Sequence, residues 1–221
     1  MATNYSSQIT TPAVPNTGSP GNEYDSKYFS QTFSNMGNYF QRVTSIIGTL
    51  FGPRGGKYIN IPYGAFQDGT NQTAANTTTA YPITFDTTDF SNGVTLSNSS
   101  RLNVSQPGIY NLQFSIQVKN TTNSSADVDL WFRKNGTDIA KSNSRFGISA
   151  RKSSGDPSHV IVALNFFQNL AANDYMQIVW RTSDVAVTIE TFPAGTSPTR
   201  PAIPSVIATM SFVSNLSTET A

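Results

Sequence analysis

The chain has 221 residues, of which 37% are hydrophobic and 12% are charged, and its formal net charge is +1. This length suits one large all-β domain with an appendage, and the near-neutral charge excludes the basic surface of a nucleic-acid-binding protein. The chain has no cysteine, which excludes disulfides, thiolate metal sites and cysteine nucleophiles. No apolar run reaches the roughly 18 residues that span a membrane, so we expect no membrane insertion.

The first predicted element is an extended N-terminal arm over residues 1–24. Threonine, serine, asparagine, glycine and three prolines (Pro12, Pro15 and Pro20) give this segment no periodic apolar face, and proline disfavours a helix. The segment also lacks the basic and apolar regions of a signal peptide. We therefore expect a protein that is assembled in the cytoplasm rather than secreted by the usual bacterial route.

Residues 25–52 are predicted to form one amphipathic helix used for docking or trimerisation. Asp25 or Ser26 is the candidate N-cap, and Gly52-Pro53 is the expected end. Seven apolar residues, spaced alternately by four and three positions, make an a/d heptad pattern that we call the heptad stripe. The members of the heptad stripe are Phe29, Phe33, Met36, Phe40, Val43, Ile47 and Leu50. Either packing on its own domain or a stalk joining copies of the chain fits this spacing, because heptad and 3.6-residue periods hardly differ over this length.

Residues 53–221 are predicted to form an all-β jelly-roll sandwich. Over 108–119, apolar residues alternate with polar ones, which is the pattern of a half-buried strand. Asn135-Gly136 between two strand-like runs indicates a tight hairpin. The segment 67–80 is too polar to be a core strand. The candidate strands are 58–66, 81–86, 93–97, 100–104, 108–119, 126–134, 137–142, 145–150, 158–167, 174–182, 185–192 and 204–214.

No cluster of residues in the sequence indicates catalysis, so we expect no enzyme, no cofactor and no metal site. His159 is the only histidine, and its place at a strand start favours an exposed edge residue over a catalytic base. Acidic residues are scattered, although Asp127 and Asp129 share one strand face; calcium bound between distant loops stays open, without a nameable ligand set. Trp131 and Trp180 could stack on a ligand, but packing in a core or subunit interface is favoured for both.

Several strand signals together resemble the C1q/TNF-like jelly-roll family, in which a G-x-Y strand start, an Asn-Gly hairpin and a Leu…Asp turn recur in this order. The matching stretches are residues 108–115, 130–136 and 170–175, followed by a terminal apolar strand. Other stretches are similar to virion structural proteins of marine phages, especially cyanophages. These stretches are residues 61–68, 74–83 and 201–207.

The resemblance covers about residues 58–214 and implies a homotrimer, with the last strands and an apolar sheet face packed around a threefold axis. The expected function is that of a non-enzymatic phage virion protein, a surface decoration or a short fibre or tail-attachment protein. Residues 1–52 would dock it to other head or tail proteins. The alternative is a receptor-binding module that recognises a host surface glycan or protein through loops 67–80, 119–126 and 151–157. An enzyme such as a glycan hydrolase is the third alternative, which no residue constellation supports.

Overall fold

The computed structural model describes residues 12–19, 21, 23–50 and 61–214, with helix side chains described up to residue 48. It divides into two compact units, Met1–Asn60 and Ile61–Ala221. The predicted helix end at Gly52-Pro53, the side chain of Leu50 and most of the arm lie outside the described residues. In the part of the chain that is described, no helix has the length and apolarity that crossing a membrane requires.

The single helix of the described residues, α1, spans Ser26–Leu50. Asp25 caps it: the side-chain Oδ1 accepts a hydrogen bond from the backbone N–H of Lys27 at 2.8 Å, and the Asp25 carbonyl accepts one from Phe29 at 3.1 Å. A capping carboxylate satisfies N–H groups that have no partner inside the helix, and its charge suits the positive end of the helix dipole.

Residues 12–19 have neither helical nor strand structure and run beside α1 within the same unit. The Tyr28 hydroxyl donates a hydrogen bond of 3.4 Å to the carbonyl of Gly18. Further along the helix, Ala13 and Pro15 line a crevice together with Tyr39 and other residues of α1. This part of the predicted arm is therefore in contact with the helix.

The described residues 61–214 form sixteen strands. In chain order they are β1 Tyr63–Asp68, β2 Gln72–Thr73, β3 Tyr81–Pro82, β4 Thr87–Asn92, β5 Val94–Ser97, β6 Arg101–Val104, β7 Gly108–Asn120, β8 Ala126–Lys134, β9 Thr137–Asp138, β10 Ser144–Ile148, β11 Ser158–Leu170, β12 Tyr175–Thr182, β13 Val187–Ile189, β14 Gly195–Thr196, β15 Thr199–Arg200 and β16 Val206–Ser214.

Two antiparallel sheets form the sandwich. The first, which we call sheet I, has the order β11-β7-β16-β1-β4, with β13 and β2 attached beside β7. The second, sheet II, has the order β10-β8-β12-β6-β5, with β3 and β9 at its margins. Eight principal strands divide four and four between the sheets, in the orders β1-β16-β7-β11 and β6-β12-β8-β10, as in a jelly roll. The predicted all-β jelly-roll fold is confirmed.

The core lies between the sheets, and alternation builds it most clearly in β7. In β7, Tyr110, Leu112, Phe114, Ile116 and Val118 are buried, and their polar neighbours point outward. On sheet II the inward residues include Leu130, Phe132 and Trp180, and the ring centroids of Phe114 and Phe132 lie 5.8 Å apart across the sandwich. Burial of apolar surface between two sheets is the main stabilising contribution in such a domain.

Most strands lie where the alternation predicts them, and β8 has the predicted bounds. The strand predicted over 185–192 is shorter, Val187–Ile189, and only Tyr81–Pro82 of 81–86 is paired. The edge strand β4 was not predicted, because its residues are mostly exposed and so show no apolar alternation. It exists because its backbone pairs with β1 over five positions.

Candidate functional site

The heptad stripe of α1 is largely exposed in a single chain. Phe33 is 68% and Phe40 58% exposed, and Phe29, Met36 and Ile47 are also exposed; Val43 is half-buried. Nearly all globular proteins bury such a row of large apolar side chains. Apart from Phe29, whose ring stacks on Tyr24 with the centroids 5.3 Å apart, the stripe is an unpartnered apolar surface within the described residues.

The segment 12–19 packs on a neighbouring row of the helix and leaves the stripe uncovered. Its contacts are with Tyr28, Tyr39 and Arg42, which each precede a member of the heptad stripe by one position. In the heptad register that places Phe33 at a, Tyr28 and Arg42 lie at c positions and Tyr39 at a g position, whereas the stripe occupies a and d. The arm segment and the stripe therefore use different rows of α1.

The outward face of sheet I carries a broad uncharged surface that we call the neutral face. Cross-strand rows place Ala163, Ser115 and Ile207 side by side, and the next row joins Asn165, Gln113 and Thr209. The small side chains at its centre leave a shallow groove of about 240 Å³. The members of the neutral face are Ile161, Ala163, Asn165, Phe167, Asn111, Gln113, Ser115, Ile207, Thr209, Ser211 and Val213.

Large apolar side chains interrupt the polar ones on the neutral face. Ile161 is 64% and Phe167 54% exposed, and Ile207 and Val213 are also exposed. The Asn111 Oδ1 atom is buried without a hydrogen-bond partner among the described residues. Charge lies at the margins: the ammonium of Lys119 binds the Glu190 carboxylate at 2.5 Å at one end, and the exposed Asp89 of the edge strand β4 accepts a hydrogen bond from Gln67.

The outward face of sheet II, which we call the charged face, is centred on a buried carboxylate. Asp129 is only 5% exposed and accepts hydrogen bonds from Arg145 (Nε, 2.7 Å) and from Arg181 (Nη2, 2.7 Å). The hydrogen bonds from Arg145 outweigh the opposing effect of burial and, with those from Arg181, hold the pKa of Asp129 below its ordinary value. Asp127, two residues away on the same face of β8, also attracts Arg145 electrostatically, so two carboxylates face the two guanidinium groups.

A second network on the charged face fixes Trp131. The carboxylate oxygen Asp138 Oδ1 accepts a hydrogen bond from the indole Nε1–H at 2.8 Å and another from Arg133 Nε at 2.7 Å. Both hydrogen bonds lower the pKa of Asp138, and the one from Arg133 has the larger effect. An ionised Asp138 therefore holds the edge of the indole ring in one orientation.

Trp131 lines an open crevice of about 350 Å³ between these two networks. Asp129, Asp138 and Ile139 also line it, and Lys141 and Arg181 bring positive charge to it. Ligand pockets in proteins begin at about 300 Å³ and combine apolar lining with a few placed polar groups. The crevice therefore meets the dimensions and chemistry of a small-ligand site.

His159 lies exposed at the start of the edge strand β11, as the sequence predicts. Its ring packs against Phe192, with centroids 5.2 Å apart. Within residues 12–50 and 61–214 as described, no three His, Asp or Glu side chains come together as metal ligands.

The sequence indicated the heptad stripe but not the crevice. Trp180 lies in the core at 1% exposure, whereas Trp131 lies on the outward side of β8. The sequence did contain a signal for the crevice. Trp131 alternates with the apolar Leu130 and Phe132, and the two-residue Asn-Gly turn places Asp138 opposite Arg133. The loop 67–80, an expected recognition loop, contributes a carbonyl of Thr77 that accepts from Arg181 at 3.3 Å.

No family model and no curated protein matches this chain. The resemblance to C1q/TNF-like proteins and to phage virion proteins thus stays a prediction from the quoted residues. The class of protein that the fold defines is a jelly-roll domain preceded by a capped helix with an uncovered heptad stripe.

Proposed function

We propose that this chain is a non-enzymatic structural protein of a phage virion. It forms a homotrimer whose jelly rolls face outward and whose residues 1–52 dock to other head or tail proteins. The observation that carries the proposal is the exposed heptad stripe of α1. A row of large apolar side chains at a and d positions is stable in water only when it is covered.

Copies of the same chain suit the heptad stripe because their stripes have the same spacing. Within α1 only Lys27 and Arg42 are charged, so parallel copies gain apolar contact with little repulsion. The helix is about 37 Å long at 1.5 Å per residue, which gives room for three heptads of contact.

The neutral face supports the same assembly in the jelly roll. It combines exposed Ile161, Phe167 and Ile207 with uncharged polar side chains, and depletion of charge is typical of the buried centre of an interface. Closed symmetry brings the same face of each copy to a common axis. The surface left outward is then the charged face, which is polar and well hydrated.

The assembly is tested by measuring the mass of the full chain at micromolar concentration with sedimentation equilibrium. We expect three chains per particle. The double variant Phe33→Glu with Phe40→Glu puts two carboxylates into each stripe and should yield smaller species. Ser34→Glu with Gln41→Glu adds the same charge at exposed positions of α1 outside the stripe and should keep the trimer. A monomeric wild type contradicts the trimer.

The location is tested in purified phage particles. Immunogold labelling with an antibody against the jelly roll should decorate the head or the tail at sites of regular spacing. Absence of the chain from purified particles contradicts the virion role, whatever the oligomeric state.

The second candidate function is a receptor-binding module for a host surface glycan or protein. The observation in its favour is the open crevice beside Trp131 on the charged face. The two functions are compatible, because the proposed interface uses the outward face of sheet I and the crevice opens on that of sheet II. Binding of the purified trimer to susceptible cells, lost in Trp131→Ala, supports it; unchanged binding by that variant excludes the crevice as the receptor site.

A further inference from the structure

The crevice beside Trp131 has a rigid aromatic platform. The indole N–H is already bonded to Asp138, so the ring offers a ligand its apolar face rather than its donor. The electron-rich face of an indole attracts the weakly positive C–H groups of a ligand laid against it. A sugar ring presents such C–H groups on one face and hydroxyl groups around its edge.

Hydrogen-bonding groups line the same crevice as the indole ring of Trp131. Asn143 is exposed at the rim, and Asp138 uses only its Oδ1 atom in the bonds described for it. The second oxygen, Oδ2, stays available as an acceptor. An amide and a carboxylate beside an aromatic ring can accept and donate to a ligand rich in hydroxyls.

Part of the backbone that lines the crevice is held in one conformation. Lys141 has a left-handed backbone (φ 62°), and the neighbouring Ser142 hydroxyl donates to the Ile139 carbonyl at 2.8 Å and accepts from the backbone N–H of Phe132 at 3.1 Å. A left-handed lysine persists only where its surroundings fix it. A backbone held in this way lowers the cost of ordering this part of the crevice on binding.

The charged residues that line the crevice are Asp129, Asp138, Lys141 and Arg181, and Lys141 is the cation that stands outside the ion pairs of the described residues. Asp129 already has two arginine partners, Asp138 is paired with Arg133, and Lys141 forms no ion pair with any residue that the structure describes. A cation on an otherwise paired surface favours a ligand that carries a carboxylate or a sulfate.

We propose that this crevice binds an acidic carbohydrate, with one sugar ring stacked on Trp131 and its acidic group bound by Lys141. The inference deepens the receptor-binding candidate and rests on it, but it does not require the trimer. The volume of about 350 Å³ accommodates a short segment of a glycan chain, and the open rim lets the rest of the chain extend into solvent.

Binding is tested with the full chain by isothermal titration and by intrinsic tryptophan fluorescence. The acidic probe is trigalacturonate, whose galacto-configured rings present a continuous C–H patch; the neutral probe is the corresponding galactotriose. We expect trigalacturonate to bind more tightly and to change the fluorescence of Trp131. Failure of trigalacturonate to bind at millimolar concentration overturns the proposal.

Two pairs of variants separate the contributions. Trp131→Ala should weaken binding by about tenfold or more, whereas Trp131→Phe, which keeps a ring, should stay within about threefold. Lys141→Ala should remove the preference for the acidic probe. Lys152→Ala removes an exposed lysine outside the crevice and should leave both affinities unchanged.

Each variant tests one contribution to binding. Wild-type affinity in Trp131→Ala, with an unchanged melting temperature, overturns the stacking role. An unchanged acidic preference in Lys141→Ala overturns the charge role. A particle that is not trimeric but still binds trigalacturonate refutes the proposed assembly and leaves the carbohydrate site standing.

Discussion

The two outward faces of the sandwich are built on the same pattern and have opposite chemistry. In β7 and in β8 every second residue points outward, yet the face of sheet I carries neutral and apolar side chains and the face of sheet II carries paired charges around Trp131. Burying an uncharged surface in an interface costs little desolvation free energy, whereas burying a charged surface costs much more. The difference fits the proposal that one face serves assembly and the other recognition.

The sharpest test of this comparison places the same charge on each face. Ala163→Glu puts a carboxylate at the centre of the neutral face, where assembly would bury it at a cost of about 3–5 kcal/mol for an unpaired ion. Thr95→Glu does the same on exposed β5 of sheet II. Sedimentation equilibrium should show loss of the trimer in the first variant only. Equal behaviour of the two variants contradicts the assignment of faces.

The next largest effect concerns the stability of the charged face. Asp129→Ala leaves Arg181 half-buried beside a missing carboxylate and should lower the free energy of unfolding by about 2–3 kcal/mol. Chemical denaturation measures this loss. The control Asp89→Ala removes an exposed carboxylate on β4, which accepts from Gln67, and should cost less than about 1 kcal/mol. If both substitutions cost the same, the network around Asp129 contributes nothing beyond a surface pair.

Acid should weaken the charged face. The lowered pKa of Asp129 means that its ionised form is favoured by folding. Its stabilisation is therefore complete above the unfolded-state pKa of about 3.9 and is lost as the pH falls through the lower folded-state value. Arg145→Ala removes the first cause of this shift, so its unfolding by acid should begin at a higher pH than in the wild type. Identical acid unfolding curves would show that Asp129 does not control this transition.

The smallest effect is expected at the hairpin that carries Asp138. Gly136 has a φ of +82°, so Gly136→Ala should cost about 1 kcal/mol and loosen the hold of Asp138 on Trp131. Gly147→Ala is the control, because its new Cβ meets only Asp127 Oδ1 at 3.9 Å and its backbone is extended. Thermal unfolding and probe binding should change in the first variant, and the trimer mass in neither. A stable Gly136→Ala with intact binding would show that the turn does not position the site.

The alternation of the sequence predicted much of the fold, because a buried strand needs an apolar residue at every second position. This holds for β7, β8, β11 and β16. It failed for β4, whose six residues make their pairing through the backbone and expose their side chains. The predicted bounds of shorter strands such as β13 were too long, since a loop can follow a strand without any change in the alternation of apolar and polar residues.

The candidate sites were predictable to different degrees. The heptad stripe is a periodicity within one helix, so its seven positions can be read from spacing alone. The crevice joins Trp131 of β8, Lys141 after β9 and Arg181 of β12, and no local pattern relates residues that are fifty positions apart. The turn Asn135-Gly136 indicated only the pairing of Arg133 with Asp138.

The sequence by itself determined the jelly-roll alternation, the capped helix and the heptad spacing, because each depends on residues close together in the chain. The tertiary structure decided which strands share a sheet, and with that which outward side chains meet. The pairing of β7 with β11 and β16 collects neutral residues on one face, and the pairing of β8 with β10 and β12 brings Arg145 and Arg181 to Asp129. Long-range backbone hydrogen bonds set these neighbours, and they leave no periodic trace in the sequence.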